Sequence, residues 1–487
     1  MDINFHYFAV KRIAAVAGFE EEEAQLIAEY SQVVDEYADS NKYHFEEYKV
    51  PAYARHLRDG KGYFHAVQTG FVSRLDYAAL MFRDNQVNYL IPFHFPPLVA
   101  SGAGVRVSES YQVQRSVKGD HSIISDMLEQ EAVICRSCMV DTPERRRSLI
   151  SLGVLLHVFA DTYAHENFNG FQGNVNCASL EEAVRMEGLD VRAKMGASQV
   201  LPAIGHGKVG VAPDVTSVHF KVQQGEAEWE RSNWVDFMDC AMEILRFLTY
   251  ACRGEEPDGI DIENMQEALE EGFAVKTEDY KDPSLDKLIE CWENTATAIP
   301  PVRFYYDKKQ ILGRITPFPE NMEELGISKA EYYEAILDHQ DPQLTEKLLA
   351  ATYGAKDDFF IFNCVAYRIR IGNYLKVKCY PNYAEFTSVN HKMQQLSAVT
   401  IKGGNDSKIY ANRVPAQTVG GDCVATVNFP GELPIGSSLE IDVEADMLNL
   451  SQALEEQKKY YHVLAMNKEE LEEARKNIRA FRSGKEE

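Results

Sequence analysis

Leu149, Leu152, Val154, Leu155, Leu156, Val158 and Phe159 leave no polar stripe wide enough for solvent, so a helix built from them has to be enclosed by other elements. Into this apolar run the chain sets His157, Asp161 and His165. At about 100° per residue, positions four apart fan over roughly 80° of one helical face. Polar groups on an enclosed helix need partners. Two solutions fit. One is a divalent cation, for which imidazole and carboxylate are both ligands. The other is a closed hydrogen-bonded network in which Asp161 accepts from both rings. The spacing predicts a helix that begins near Pro143, capped by Asp141 or Thr142, and stops at a left-handed Asn169-Gly170. Gly153 lies one turn before His157 on the same face and leaves room for a neighbouring backbone or a ligand.

Other polar residues share inward faces. A first helix is expected from Phe5 to Ala17, ending at Gly18, with His6 on the face of Ala9, Val10 and Ile13. A capping or core histidine is the plainer reading of His6. A second helix is expected from Glu20 to Tyr37, its acidic start suited to the helix dipole. Asp35 extends its stripe of Ala24, Ile27, Ala28 and Ser31, and Asp39 follows one turn later, where a solvated helix end is the plainer reading. In Ile91-Pro-Phe-His94-Phe-Pro-Pro97 the prolines argue against a helix. His94 is then either a ligand delivered by a stiff loop or an aromatic packing residue. The glycine-rich run Ala203 to Asp214 can present His206 and Asp214 without a helix, or be a plain surface loop.

The net charge of −25 argues against a non-catalytic nucleic-acid binder and against attachment to anionic lipid. It leaves room for a metal enzyme acting on phosphates, because bound ions supply local positive charge. No run of about 18 apolar residues exists and no basic-then-apolar leader opens the chain, so neither a membrane span nor a signal peptide is expected. Nine cysteines, an odd number spread widely, suit reduced thiols in a cytoplasm. No phosphate-binding Gly-x-x-x-x-Gly-Lys-Ser/Thr run and no Gly-x-Ser-x-Gly elbow is present.

The expected architecture is mainly α. A large all-helical domain spans residues 1–378, a small β-rich domain 379–446, and a charged C-terminal helix 447–487. The β-rich part rests on period-two runs at Ser397–Lys402, Lys408–Ala411, Cys423–Asn428 and Leu439–Val443. The last helix, with Leu464, Leu471 and Ile478 in heptad spacing, is a candidate surface for a protein partner or for self-association.

Three patterns together carry a resemblance: Asp2-x-x-Phe5-His6-Tyr7, Leu156-His157-x-x-x-Asp161-x-x-Ala164-His165, and Gly205-His206. With Asp35, they resemble the all-helical zinc enzymes that include bacterial phospholipase C and the single-strand-specific fungal nucleases. They are closer still to an uncharacterised bacterial set of that type. The resemblance covers about residues 1–375. It implies a cluster of two or three Zn2+ ions that hydrolyses phosphate esters through activated water. It further implies His6, Asp35, His157, Asp161 and His165 as metal ligands, with Asp161 bridging and Asp35 positioning water. Asp35 and Asp161 are then the catalytic pair, and His206, His94 and Asp2 complete the candidate ligand set.

The sequence departs from that family in three places. Met1-Asp2 stands where those enzymes present a tryptophan amine to metal, so the Asp2 side chain is the expected substitute. The histidine after Asp161 comes early. Gly210 occupies the glutamate position four residues past His206. These departures favour two ions over three. They also keep open a non-catalytic helical protein with a structural metal, acting in assembly. Expected substrates are a lipid head group, a nucleotide or single-stranded nucleic acid. Tyr163, Glu166 and Asn167 are expected to orient the imidazoles from behind.

Overall fold

The computed structural model describes residues 1–58, 62–70, 80–82, 85–96, 111–120, 122–274, 284–295, 301–328, 331–332, 351, 353–354, 356–372, 375–379, 382–388, 393–402, 408–419, 422–430, 440–447 and 463–464. It is mixed and mainly helical. The helices in chain order are α1 (Val10–Val16), α2 (Glu21–Glu36), α3 (Ile91–His94), α4 (Ile123–Ser137), α5 (Pro143–Ala164), α6 (Asn233–Arg253), α7 (Gly259–Phe273), α8 (Leu285–Glu293), α9 (Lys308–Ile315) and α10 (Asp357–Gly372).

Helix α5 is the axis of the molecule. Thr142 caps it by accepting from the Arg145 amide, and Pro143 takes the first turn, where its missing N–H costs nothing. Every residue from Ser148 to Ala164 is buried. The helix is enclosed by α2, α3, α4, α6 and α10. Gly153 is where α2 comes closest: a Cβ there would lie 2.4 Å from the Ile27 carbonyl oxygen and 2.9 Å from Tyr30 Cβ. The room left by this glycine is therefore filled by backbone. The helix stops earlier than the sequence predicts. Its last residue is Ala164, and the left-handed residue is Asn167, at φ 72°, a conformation asparagine tolerates. His165 consequently stands at the helix end and not within it.

Two helices begin with widened turns. A π-helical stretch, Asn4–Ala9, runs into α1, and another, Gln86–Leu90, runs into α3. The second overturns the expectation that Pro92 forbids a helix. Pro92 sits in the first turn of α3, directly after the wider π geometry, and the Phe95 amide closes the turn onto both Leu90 and Ile91 carbonyls at 3.2 Å.

Residues 178–232 also correct the all-helical expectation. They form an antiparallel meander, β3 (Ala178–Arg185), β4 (Val218–Gln224) and β5 (Ala227–Ser232), with Val218, Phe220 and Val222 turned into the core. A two-stranded pair, β1 (Lys42–His44) and β2 (Tyr63–His65), lies beyond α2.

From Leu375 onward the described elements are strands. Strands β6 (Leu375–Cys379), β7 (Tyr383–Ser388), β10 (Gln417–Val419), β11 (Asp422–Asn428) and β13 (Val463–Leu464) form a sheet in the order β10-β11-β7-β6-β13. Strands β8 (Met393–Lys402), β9 (Lys408–Pro415) and β12 (Glu440–Met447) form another, β12-β8-β9. Phe386, Leu396, Val399, Ala425 and Val427 are buried within this part. Of the expected terminal helix 447–487, only Met447, which ends β12, and Val463 and Leu464 are described, and the last two run as a strand parallel to Leu375 and Lys376. The remainder of that expected helix lies outside the described residues. No helix among the described residues is long and apolar enough to cross a membrane.

Candidate metal centre

Asp161 is the hub. Its carboxylate is fully buried and faces the Met1 amine at 2.6 Å, His6 Nε2 at 3.1 Å, His94 Nδ1 at 3.0 Å, His157 Nε2 at 3.4 Å and His165 Nδ1 at 3.6 Å. His157 and Asp161 share a face of α5 through their four-residue spacing. His6 comes from the first π turn and stacks on His157 with ring centroids 3.9 Å apart. His94 ends α3. Asp35 closes α2 and brings Oδ1 within 3.7 Å of both His94 Nδ1 and His157 Nε2. Its side chain is 32% exposed against 0% for Asp161, so Asp35 marks the open edge.

A second carboxylate, Asp214, organises the far end. Its Oδ1 is 3.1 Å from His165 Nε2 and 3.5 Å from the Met1 amine, and its Oδ2 is 3.3 Å from His206 Nε2. The Phe95 ring stacks on His165 with centroids 4.3 Å apart. Gly205, at φ 51°, passes so near that ring that a Cβ would come within 2.5 Å of Phe95 Cζ. Glycine is thereby required just where the chain turns to present His206.

Three sets of ligand atoms result, each within 4.8 Å of one another: His6, Asp35 and His157; His94, His157 and Asp161; His165, His206 and Asp214. Asp2 stands outside them. Its carboxylate accepts from the Thr216 hydroxyl at 2.9 Å, and burial pushes its pKa up to about 6 against that bond. The group that reaches Asp161 from this end is the Met1 amine. Asp214, beyond the reach of a four-residue helical spacing from His206, supplies the carboxylate that Gly210 cannot; the Gly210 carbonyl instead accepts from His206 Nδ1 at 2.7 Å. Glu166 and Tyr163 do not orient the imidazoles. Glu166 pairs with Arg115 at 2.9 Å, and the Arg115 guanidinium lies over the Tyr163 ring.

Backbone carbonyls do that orienting. His94 Nε2 donates to the Thr69 carbonyl, His165 Nδ1 to the His94 carbonyl, and His206 Nδ1 to the Gly210 carbonyl. A carbonyl only accepts, so these nitrogens carry the protons. The other nitrogen of each ring then aims at a carboxylate oxygen, at 3.0 Å for His94, 3.1 Å for His165 and 3.3 Å for His206. A lone pair facing an anionic oxygen is repulsive unless positive charge intervenes, as a second ring proton or a cation.

The electrostatics separate these two sources of charge. Burial opposes the Asp161 anion, but the Met1 amine, His165 and His157 outweigh it and hold the carboxyl well below its usual range. Asp214 is likewise held low against burial by His206, the amine and His165. Burial, His157 and the amine drive His6 down to about 3, and burial drives His206 down, so both rings are neutral near pH 7. His94 is raised: Asp161 and Asp35 outweigh its burial. Neutral His6 and His206 beside ionised Asp161 and Asp214 are in the protonation state that divalent transition metals require of their ligands. Among the described residues the Nδ1 atoms of His6 and His157 have no hydrogen-bond partner, so their Nε2 atoms are the engaged ends.

Residues 1–345 match the model of a family described as being of unknown function, DUF6765. No curated protein and no solved structure matches the chain.

Proposed function

The chain belongs to the DUF6765 family, and we propose that its buried His/Asp cluster holds two or three divalent ions, zinc by preference, and hydrolyses phosphate esters. The observation that carries this is the outward-fixed protons of His94, His165 and His206, which turn the other nitrogen of each ring toward the Asp161 or Asp214 carboxylate. Imidazole nitrogen and carboxylate oxygen in sets of three are a zinc-type donor set.

Ions held there would supply an activated water and stabilise charge on a phosphoryl group. The chain's own residues divide the remaining work. Asp161, wholly buried and shared among rings from three elements, holds the sets at fixed separation. Asp35, at the open edge, is placed to orient a water and to take its proton. Phe95 covers His165 and limits water there. No serine or cysteine nucleophile is needed.

The test is hydrolysis of a bis-aryl phosphate by protein purified without an affinity metal, alongside elemental mass spectrometry. Expected are about two or three zinc equivalents per chain, activity abolished by chelator and restored by zinc, and ion content lowered in Asp161→Ala. A chain that binds no zinc on titration and whose hydrolysis is indifferent to chelator would refute the reading.

A further inference from the structure

Arg231 and Asn233 belong to none of the ligand sets, yet both bond to the loop that carries Asp214. Arg231 is buried at the end of β5. Its Nη1 donates to the Tyr163 carbonyl at 2.8 Å, and its Nη2 donates to the Ala164 carbonyl at 2.9 Å and the Pro213 carbonyl at 3.0 Å. Tyr163 and Ala164 are the last residues of α5, whose carbonyls have no partner within the helix. Pro213 immediately precedes Asp214. One guanidinium fork therefore ties the helix end that presents Asp161 and His165 to the loop that presents Asp214.

Asn233, the first residue of α6, completes the clamp. Its Oδ1 accepts from Arg231 Nε at 2.9 Å, and its Nδ2 donates to the Ala212 and Val215 carbonyls, both at 2.8 Å. The four residues 212–215 are thus gripped at three carbonyls by two buried side chains. The loop has no helical or strand periodicity of its own to hold it.

We propose that Arg231 and Asn233 are positioning residues that build the His165/His206/Asp214 set and leave the His94/His157/Asp161 set to α5 and α3. This rests on the ion-binding part of the function proposed above. The asymmetry follows from the connections: His157 and Asp161 lie inside α5, fixed by the helix, whereas Asp214 sits on a loop whose own backbone bonds, from the Asp214 amide to the Val211 carbonyl at 3.0 Å and from the Asp2 amide to the Asp214 carbonyl at 3.1 Å, do not reach the end of α5, so the backbone tie to α5 is the Arg231 clamp. A lysine at 231 offers a single point of charge and cannot span three carbonyls.

The experiment is zinc content after dialysis against a weak chelator, with zinc titration calorimetry, for wild type, Arg231→Lys, Asn233→Ala, Asp214→Asn and the Arg231→Lys/Asp214→Asn double variant. Expected is loss of about one zinc equivalent in each single variant, the remaining sites keeping wild-type affinity, and no further loss in the double variant. Thermal unfolding of the metal-free forms separates a purely structural role. That role predicts a lowered midpoint with all sites weakened together, and this result would overturn the proposal. So would single variants that retain every zinc at wild-type affinity. A wild type that binds no zinc removes the functional reading itself and this proposal with it. Asn233→Ala removes no buried charge, so it provides the answer if Arg231→Lys does not fold.

Discussion

Asp39 shows how differently one carboxylate can be used only four residues from another. The sequence places it at a solvated helix end. The structure buries it completely, accepting from the Tyr43 and Tyr37 hydroxyls and from the Asn41 backbone and side-chain amides. It belongs to none of the ligand sets. Burial raises its pKa above the ordinary 3.8 in spite of those bonds. The folded chain then keeps this proton to higher pH than the unfolded chain. Its contribution to stability is fully present below the unfolded value, declines as pH rises between 3.8 and the raised folded value, and is level above it. In urea unfolding over about pH 3 to 7, the stability difference between wild type and Asp39→Asn should therefore fall with rising pH and then flatten. A difference that grows with pH would mean that the four donors hold Asp39 as an anion below its ordinary value.

At the level of elements, the contact that sets the centre is α2 against α5. Gly153 lets Ile27 and Tyr30 approach, and that approach is what puts Asp35 at 3.7 Å from His157. Gly153→Ala should cost about 1–3 kcal/mol by forcing packed helices apart. It should also weaken zinc binding, because Asp35 travels with α2. Urea unfolding and zinc titration of one preparation check both effects, and unchanged affinity beside a lowered stability would uncouple Asp35 from the centre. This helix pair was legible in the sequence: a capped apolar run with polar residues four apart fixes both the helix and its inward face. That His6, Asp35, His94 and His206 join this helix in one ligand set followed from the resemblance; each segment's own residues left a plainer reading open. What the sequence hid has physical causes. The helix through Pro92 depends on a π turn that no propensity encodes. The loop that presents His206 and Asp214 was readable as such, but it is held by Arg231 and Asn233, two residues that lie 17 and 19 positions beyond Asp214 and form no motif with it. The β3–β5 meander does alternate, as Val218, Phe220 and Val222 show, but its strands are short and studded with charge.

Across the whole molecule, the centre draws on the chain's beginning, α2, α3, α5 and the loop before β4, joining residues up to about two hundred positions apart. Ions bound there would act on all of these at once, whereas among the described residues the sheets from Leu375 onward contribute no residue to any ligand set. Ligand binding to the folded state alone adds about 2.7 kcal/mol when free ligand is a hundredfold above its dissociation constant. Hydrogen exchange with and without saturating zinc should place that gain unevenly. The amides of α2, α5 and residues 212–215 should slow on zinc addition, by up to about a hundredfold where exchange requires global opening. The amides of β7, β8 and β11 should slow only if this β part unfolds together with the helices. Protection confined to the helical part would make the β part a separate cooperative unit. Uniform protection throughout would make the chain one unit and give the strands after Leu375 a share in the stability of the centre.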